Sequence, residues 1–189
     1  MNEPIILASA SPRRHELLSL IGLQYEVHSP EVDESETGRP DEMVLRLAHK
    51  KAQAAAKANP GRTILAADTL VFAKGQVLGK PKDEADAVRM LGILRNDLHE
   101  VYTGVCVIDS SGQVHAGGEK TTVRFIPISD EEIRAYVDSG EPYGKAGAYA
   151  IQGVAGMFIS AIEGSYSNVV GLPLHLVKAL LGEAAIKLL

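Results

Sequence analysis

The sequence has no tryptophan, only three phenylalanines and six tyrosines, a single cysteine and no excess of basic residues. Each shortage excludes something. Cys106 alone rules out an intramolecular disulfide and any zinc site built from several thiolates. Set in the apolar run Gly104-Val105-Cys106-Val107-Ile108, it reads as a packed core thiol. The six histidines form neither a His-Glu-x-x-His pattern nor a close pair, so a histidine-rich metal centre is not expected. A formal charge of −5 argues against a dedicated nucleic-acid binder, and any anion site has to be a local gathering of Arg and Lys. Long apolar runs are also missing: residues 154–162 are interrupted by Gly and Ser and are too short to span a bilayer. The residues before Ser11 carry neither the basic stretch nor the long apolar core of a secretion signal, so the expectation is a cytoplasmic protein without membrane attachment.

What is present is enough chain, 189 residues, to bury a sizeable core as one domain or two closely joined lobes. Its most informative stretch is Ile64-Leu65-Ala66-Ala67-Asp68-Thr69-Leu70-Val71-Phe72, a short apolar run that predicts a buried strand with one carboxylate in the middle. A charge there is costly unless it is paired, hydrogen-bonded or bound to a cation. Asp68 is therefore either a structural acceptor of backbone N–H groups or a general base or metal ligand at a site.

Phosphate-suited groups flank that strand on both sides in the sequence. Ile5-Ile6-Leu7 predicts a short strand, Ala8-Ser9-Ala10 a turn, and Ser11-Pro12 an N-cap and first helical residue. Leu17, Leu18, Leu20 and Ile21 are taken as the apolar side of that helix, and Gly22 stops it. Arg13 and Arg14 sit in its first turn, where cations oppose the helix dipole at about 0.3–1 kcal/mol each. A bound phosphate reverses that penalty, because N–H groups, dipole and guanidinium forks all face it. Two solvated arginines are the plainer alternative.

A strand over 25–28 leads into the acidic loop Glu31-Val32-Asp33-Glu34-Ser35-Glu36, which reads as a solvated run or as a source of oxygen ligands for Mg²⁺ or Mn²⁺. The helix over about 41–58 carries Met43, Val44, Leu47, Ala48, Ala52 and Ala55 on one arc, with Lys51 near its middle and Lys50 at its edge. Lys51 either snorkels or reaches a site. Gly79-Lys80-Pro81 follows a tight return and is no Walker loop, leaving Lys80 as a candidate phosphate contact. Residues 83–95 predict a helix, 101–108 and 114–126 a long hairpin turning at Asp109-Ser110-Ser111-Gly112, and Ser129-x-x-Glu132 a capping box. A glycine-rich segment, 141–153, a strand over 157–162 and a helix from Pro173 complete the chain. Strands and helices mix without strict alternation, which predicts α/β or α+β with a mixed sheet.

Three segments together resemble the Maf family of nucleoside triphosphate pyrophosphatases: Leu7-Ala8-Ser9-Ala10-Ser11-Pro12-Arg13-Arg14; Ala66-Ala67-Asp68-Thr69 with Gly79-Lys80-Pro81; and Lys145-Ala146-Gly147-Ala148-Tyr149-Ala150-Ile151-Gln152-Gly153. Glu163-Gly164-Ser165-Tyr166-Ser167-Asn168-Val169-Val170-Gly171-Leu172-Pro173 adds to the likeness, which runs nearly end to end. The resemblance implies one Maf-like domain over 1–189, an α/β fold with a mixed central sheet flanked by helices, and two lobes around a deep cleft in the manner of inosine-triphosphate pyrophosphatase. It also implies a homodimer, a divalent metal (Mg²⁺ or Mn²⁺), and hydrolysis of a nucleotide to the monophosphate and pyrophosphate. By motif, Asp68 is the catalytic proton acceptor and Glu34 the essential acid, both also candidate metal ligands. Ser9, Arg14, Lys51 and Lys80 face the phosphates.

Arg13, Thr69 and Gln152 resemble the family branch acting on dTTP and UTP, where the 7-methyl-GTP branch has Trp, Gln and Glu. Amide chemistry agrees: Gln152 offers one acceptor and one donor, matching N3–H and a carbonyl of uracil or thymine. The competing readings are a non-catalytic nucleotide-binding regulator of cell division and the same chemistry on 7-methyl-GTP or other modified nucleotides.

Overall fold

The computed structural model describes residues 3–186 and 188. Its sheet is mixed, with strand order β2-β1-β3-β5-β6-β7 and β4 pairing with β3. The strands are β1 (Ile5–Leu7), β2 (Tyr25–Val27), β3 (Ile64–Ala73), β4 (Gln76–Leu78), β5 (Leu98–Ile108), β6 (Val114–Phe125) and β7 (Ile159–Glu163). The helices are α1 (Pro12–Leu20), α2 (Pro40–Ala58), α3 (Glu84–Leu94), α4 (Asp130–Asp138), α5 (Tyr166–Val170) and α6 (Leu174–Glu183). β1 runs parallel to both β2 and β3, whereas β4 on β3 and β7 on β6 are antiparallel.

The chain divides into two compact units. One contains the residues up to Asp68, Thr103–Glu119 and everything from Gly171 onward; the other is Thr69–Tyr102 with Lys120–Val170. In the first unit, α2 lays an alanine stripe (Ala48, Ala52, Ala55) against Ile6, Ala8, Ile64, Ala66, Cys106 and Ile108, so the lone cysteine is a core thiol as expected. Small residues let the helix axis come close. Gly104 on β5 shows how close: a Cβ there would lie 2.4 Å from the Val44 carbonyl oxygen. The register Leu7↔Leu65 sets the end of β1 beside the start of β3, with the Ala8 N–H donating to Leu65 O at 2.8 Å, and β3 runs on to Ala73. Ser9 therefore lies just past the C-terminal end of β1, while Asp68 lies inside β3, three residues beyond Leu65.

The second unit has its own apolar core, in which Leu78, Leu91, Leu94, Val123, Phe125 and Ile133 are almost fully buried. Asp83 caps α3 by accepting the Asp86 N–H, and the Ser129–Glu132 capping box opens α4 as predicted.

Two local expectations fail. Leu20 is 79% exposed, because α1 turns Arg14, Leu17 and Leu18 inward at positions i, i+3 and i+4 and leaves Leu20 on the opposite face. The segment from Met157 enters its strand late: Val154–Phe158 coils as a 3₁₀ turn, and β7 begins at Ile159.

Candidate active site

Asp68 is not sealed in the core. Its side chain is 14% exposed, and Oδ1 lies 2.6 Å from the Lys51 ammonium. The same ammonium lies 2.7 Å from Glu34 Oε1, so one cation from the middle of α2's apolar arc gathers a carboxylate from β3 and another from the acidic loop. The loop is clasped to the helix rather than freely solvated: Glu36 pairs with Arg46 at 2.7 Å and Lys50 at 2.5 Å. Those two cations hold the Glu36 carboxyl below its ordinary range. The run's spacing, which places charges both toward and away from α2, gave no sign of that clasp.

Arg14 is not a solvated arginine. It is buried, its Nε donates to Gly171 O at 2.8 Å, and its Nη1 donates to Ser9 Oγ at 3.0 Å. Ser11 occupies the N-cap, but its hydroxyl makes no cap bond; its N–H instead donates to Ser9 Oγ at 3.3 Å. Burial pulls the Arg14 guanidinium down to about 10; Asp68 opposes the fall, Arg13 adds to it and Glu34 opposes it. It stays charged at neutral pH, and the charge is worth more for being desolvated. His15 is a support that the sequence reading missed. Its Nε2 sits 3.1 Å from the Ser9 carbonyl and its Nδ1 3.2 Å from Tyr25 Oη, a cross-brace between α1 and β2 that only the folded arrangement reveals.

Ser9, Arg14, Glu34, Lys51 and Asp68 are thus one connected cluster within the first unit, with Arg13 partly exposed beside it. Among the described residues no group of three or more His, Cys, Asp or Glu could hold a metal. Glu34 and Asp68 are a pair of hard oxygen donors already drawn to one cation. That fits Mg²⁺ or Mn²⁺, which take one or two carboxylates and complete their shell from phosphate and water.

Thr69, Lys80 and Gln152 belong to the second unit. Thr69 follows Asp68 directly on β3 and is partly exposed, while Lys80 and Gln152 are exposed. Two of the family-like segments are tied together there: the Gly147 N–H donates to Gly79 O at 3.0 Å, one residue from Lys80. Gly147 has φ +70°, and a Cβ would meet Val71 Cγ2 at 2.9 Å, so conformation and space both require glycine.

The cluster sets a lysine between two carboxylates, in the same unit as a buried arginine that is hydrogen-bonded to Ser9. Residues 4–184 match the model of the Maf-like proteins, and the chain belongs to that family. It is 50% identical to a dTTP/UTP pyrophosphatase of Symbiobacterium thermophilum over 92% of this chain and 90% of that protein. It is also 53% identical to a dTTP/UTP pyrophosphatase of Geotalea uraniireducens, over 90% and 89%. Among solved structures it is similar to the Ham1 protein of Staphylococcus aureus, with 20% identity, 65% and 72% of the two chains covered and a TM-score of 0.47.

Proposed function

We propose that this protein is a pyrophosphatase that hydrolyses dTTP and UTP to the nucleoside monophosphate and pyrophosphate. The observation that carries the reading is the Lys51 ammonium shared by Asp68 and Glu34, with Arg14 held in the same charge cluster. Relatives about half identical over nearly the whole chain bear the name dTTP/UTP pyrophosphatase, which supports the substrate pair. Arg14, Ser9, Lys51 and Lys80 bind the triphosphate, and the two buried-side cations stabilise charge that develops on the phosphoryl oxygens. Asp68 takes the proton of the water that attacks the α-phosphorus, one carboxylate oxygen on Lys51 and the other on the water. The pyrophosphate leaves in line with the attack. Glu34 and Asp68 would hold a divalent cation, which when bound neutralises phosphate charge. Gln152 matches the N3–H and a carbonyl of uracil or thymine, with Arg13 and Thr69 completing the pyrimidine-branch pattern.

The same reading has the enzyme act as a cytoplasmic homodimer on a small nucleotide, not on nucleic acid. The −5 charge and the lack of any described helix able to cross a membrane accord with it. The test is a panel of dTTP, UTP, CTP, modified pyrimidine triphosphates and 7-methyl-GTP, with and without Mg²⁺ or Mn²⁺. Pyrophosphate release from dTTP and UTP is expected. Tight nucleotide binding with no pyrophosphate release would favour the regulator of cell division instead.

A further inference from the structure

The segment that carries Gln152 is fastened by a single carboxylate. Glu141 Oε2 accepts the Val154 N–H at 2.9 Å, while Oε1 accepts the Ala155 N–H at 3.3 Å and the Tyr136 hydroxyl at 2.9 Å. Those two amides open the 3₁₀ turn Val154–Phe158, whose own N-cap, Gly153, has no side chain to offer. Glu141 therefore supplies the cap from across the loop, as a charged acceptor on N–H groups that would otherwise lack a protein partner. It is itself anchored at both backbone atoms, its N–H donating to Ser139 Oγ at 3.2 Å and its carbonyl accepting from the Lys145 ammonium. Burial raises the Glu141 carboxyl, but the Val154 N–H and the Tyr136 hydroxyl outweigh it and leave the group below its ordinary range.

Gln152 lies between two fixed points. On one side the Gly153 N–H donates to Ala150 O at 3.1 Å; on the other stands the Glu141 cap at Val154. Gly153 has φ −109° and ψ −155°, a conformation open to any residue, so its glycine is a matter of space. A Cβ there would lie 2.3 Å from Glu141 Oε1 and 2.4 Å from Oε2. The carboxylate is packed directly under the residue next to Gln152.

We propose that Glu141 is a positioning residue for Gln152, and through it a determinant of which base the enzyme accepts. This rests on Gln152 being the group that reads the base. Glu141 touches no substrate; it fixes the backbone from which the amide reaches. Without that cap the amide loses its registration against the pyrimidine edge, while the phosphate-binding cluster of the first unit keeps all of its own bonds.

The experiment compares wild type, Glu141→Gln, Gly153→Ala and Gln152→Ala on dTTP, dGTP and a base-less deoxyribose 5′-triphosphate. Gly153→Ala keeps the carboxylate but drives it off the two amides, so it carries the test by the same criteria should Glu141→Gln not fold. The expected result is a loss of dTTP-over-dGTP selectivity of about tenfold or more in both variants, seen mainly in KM, with the base-less triphosphate slowed no more than about twofold. If Gln152→Ala collapses the selectivity and both loop variants keep it, the positioning role is overturned and base reading survives. If Gln152→Ala leaves the selectivity intact, base reading falls and the positioning role falls with it. Equal slowing of dTTP and the base-less triphosphate in the loop variants would mean a merely structural role, and would also overturn the inference.

Discussion

The Lys51 ammonium lies 2.6 Å from Asp68 Oδ1, and both side chains are only 14% exposed. At that burial the pair is more than surface decoration: removing one partner leaves the other charge in a poorly solvated place. Glu34, half exposed, leans on the same ammonium. Replacing Lys51 by Met leaves Asp68 without its partner and should destabilise the fold by about 1–3 kcal/mol. Adding Asp68→Asn should then restore part of the loss. A double-mutant cycle by urea unfolding reads this directly, and strictly additive effects would show that the pair is not energetically coupled.

Gly104→Ala places a Cβ 2.4 Å from the Val44 carbonyl oxygen and 2.7 Å from the Leu45 nitrogen, both backbone atoms that cannot rotate away. Helix α2 must then lift from the sheet, at a cost of about 1–3 kcal/mol or more. Calorimetry should record a fall in Tm of about 2–4 °C for each kcal/mol. Because α2 carries Lys51, activity should fall below what the stability loss alone accounts for.

His99 is buried against Phe125 and Tyr149, with Nε2 2.7 Å from Tyr149 Oη and Nδ1 without a hydrogen-bond partner. Burial pulls its pKa from 6.5 down to about 4. The unfolded chain therefore binds this proton first. Stability from this group is full above pH 6.5 and falls as the pH drops toward 4, with a slope approaching about 1.4 kcal/mol per pH unit inside that window. His99→Gln should flatten that part of the curve in chemical denaturation series.

Asp109 works in a lower window. Its carboxylate accepts from the Ser111 hydroxyl at 2.6 Å and from the Ser111 and Gln113 amides at 2.9 Å, holding its pKa at about 2 instead of 3.8. A depressed acid stabilises the fold above its unfolded pKa, and the benefit drains away as pH falls from 3.8 to about 2. Asp109→Asn should lose the turn's advantage at neutral pH and show a shallower acid limb over that interval.

Much of the site was readable because each local anomaly had a physical cost that demanded an explanation. A carboxylate in an apolar strand, two arginines at a helix start and a lysine in an apolar arc were each conspicuous at Asp68, Arg14 and Lys51. Pairing accounts for Asp68 and Lys51, and burial with two hydrogen bonds accounts for Arg14. What stayed hidden depends on residues distant in sequence. Glu36 looked like part of a solvated acidic run because its partners Arg46 and Lys50 lie on the next helix, facing back toward it. His15 and Tyr25 brace Ser9 only once α1 and β2 are side by side. Glu141 sits at the head of a glycine-rich loop, and its only clue was a lone acid beside Pro142. Leu20 was misread because four apolar residues in five leave the helical face ambiguous, and burying Arg14 decided it.

The most direct measurement is the release of pyrophosphate from dTTP by the Asp68→Asn protein, set against the wild type under saturating substrate and divalent metal. Asn keeps the shape but cannot accept the proton of the attacking water. A kcat lower by about 10²–10⁴-fold, with nucleotide binding retained, is the expected result. Turnover within a few-fold of wild type would contradict the assignment of Asp68 as the base and, with it, the chemistry assigned to the Lys51-centred cluster.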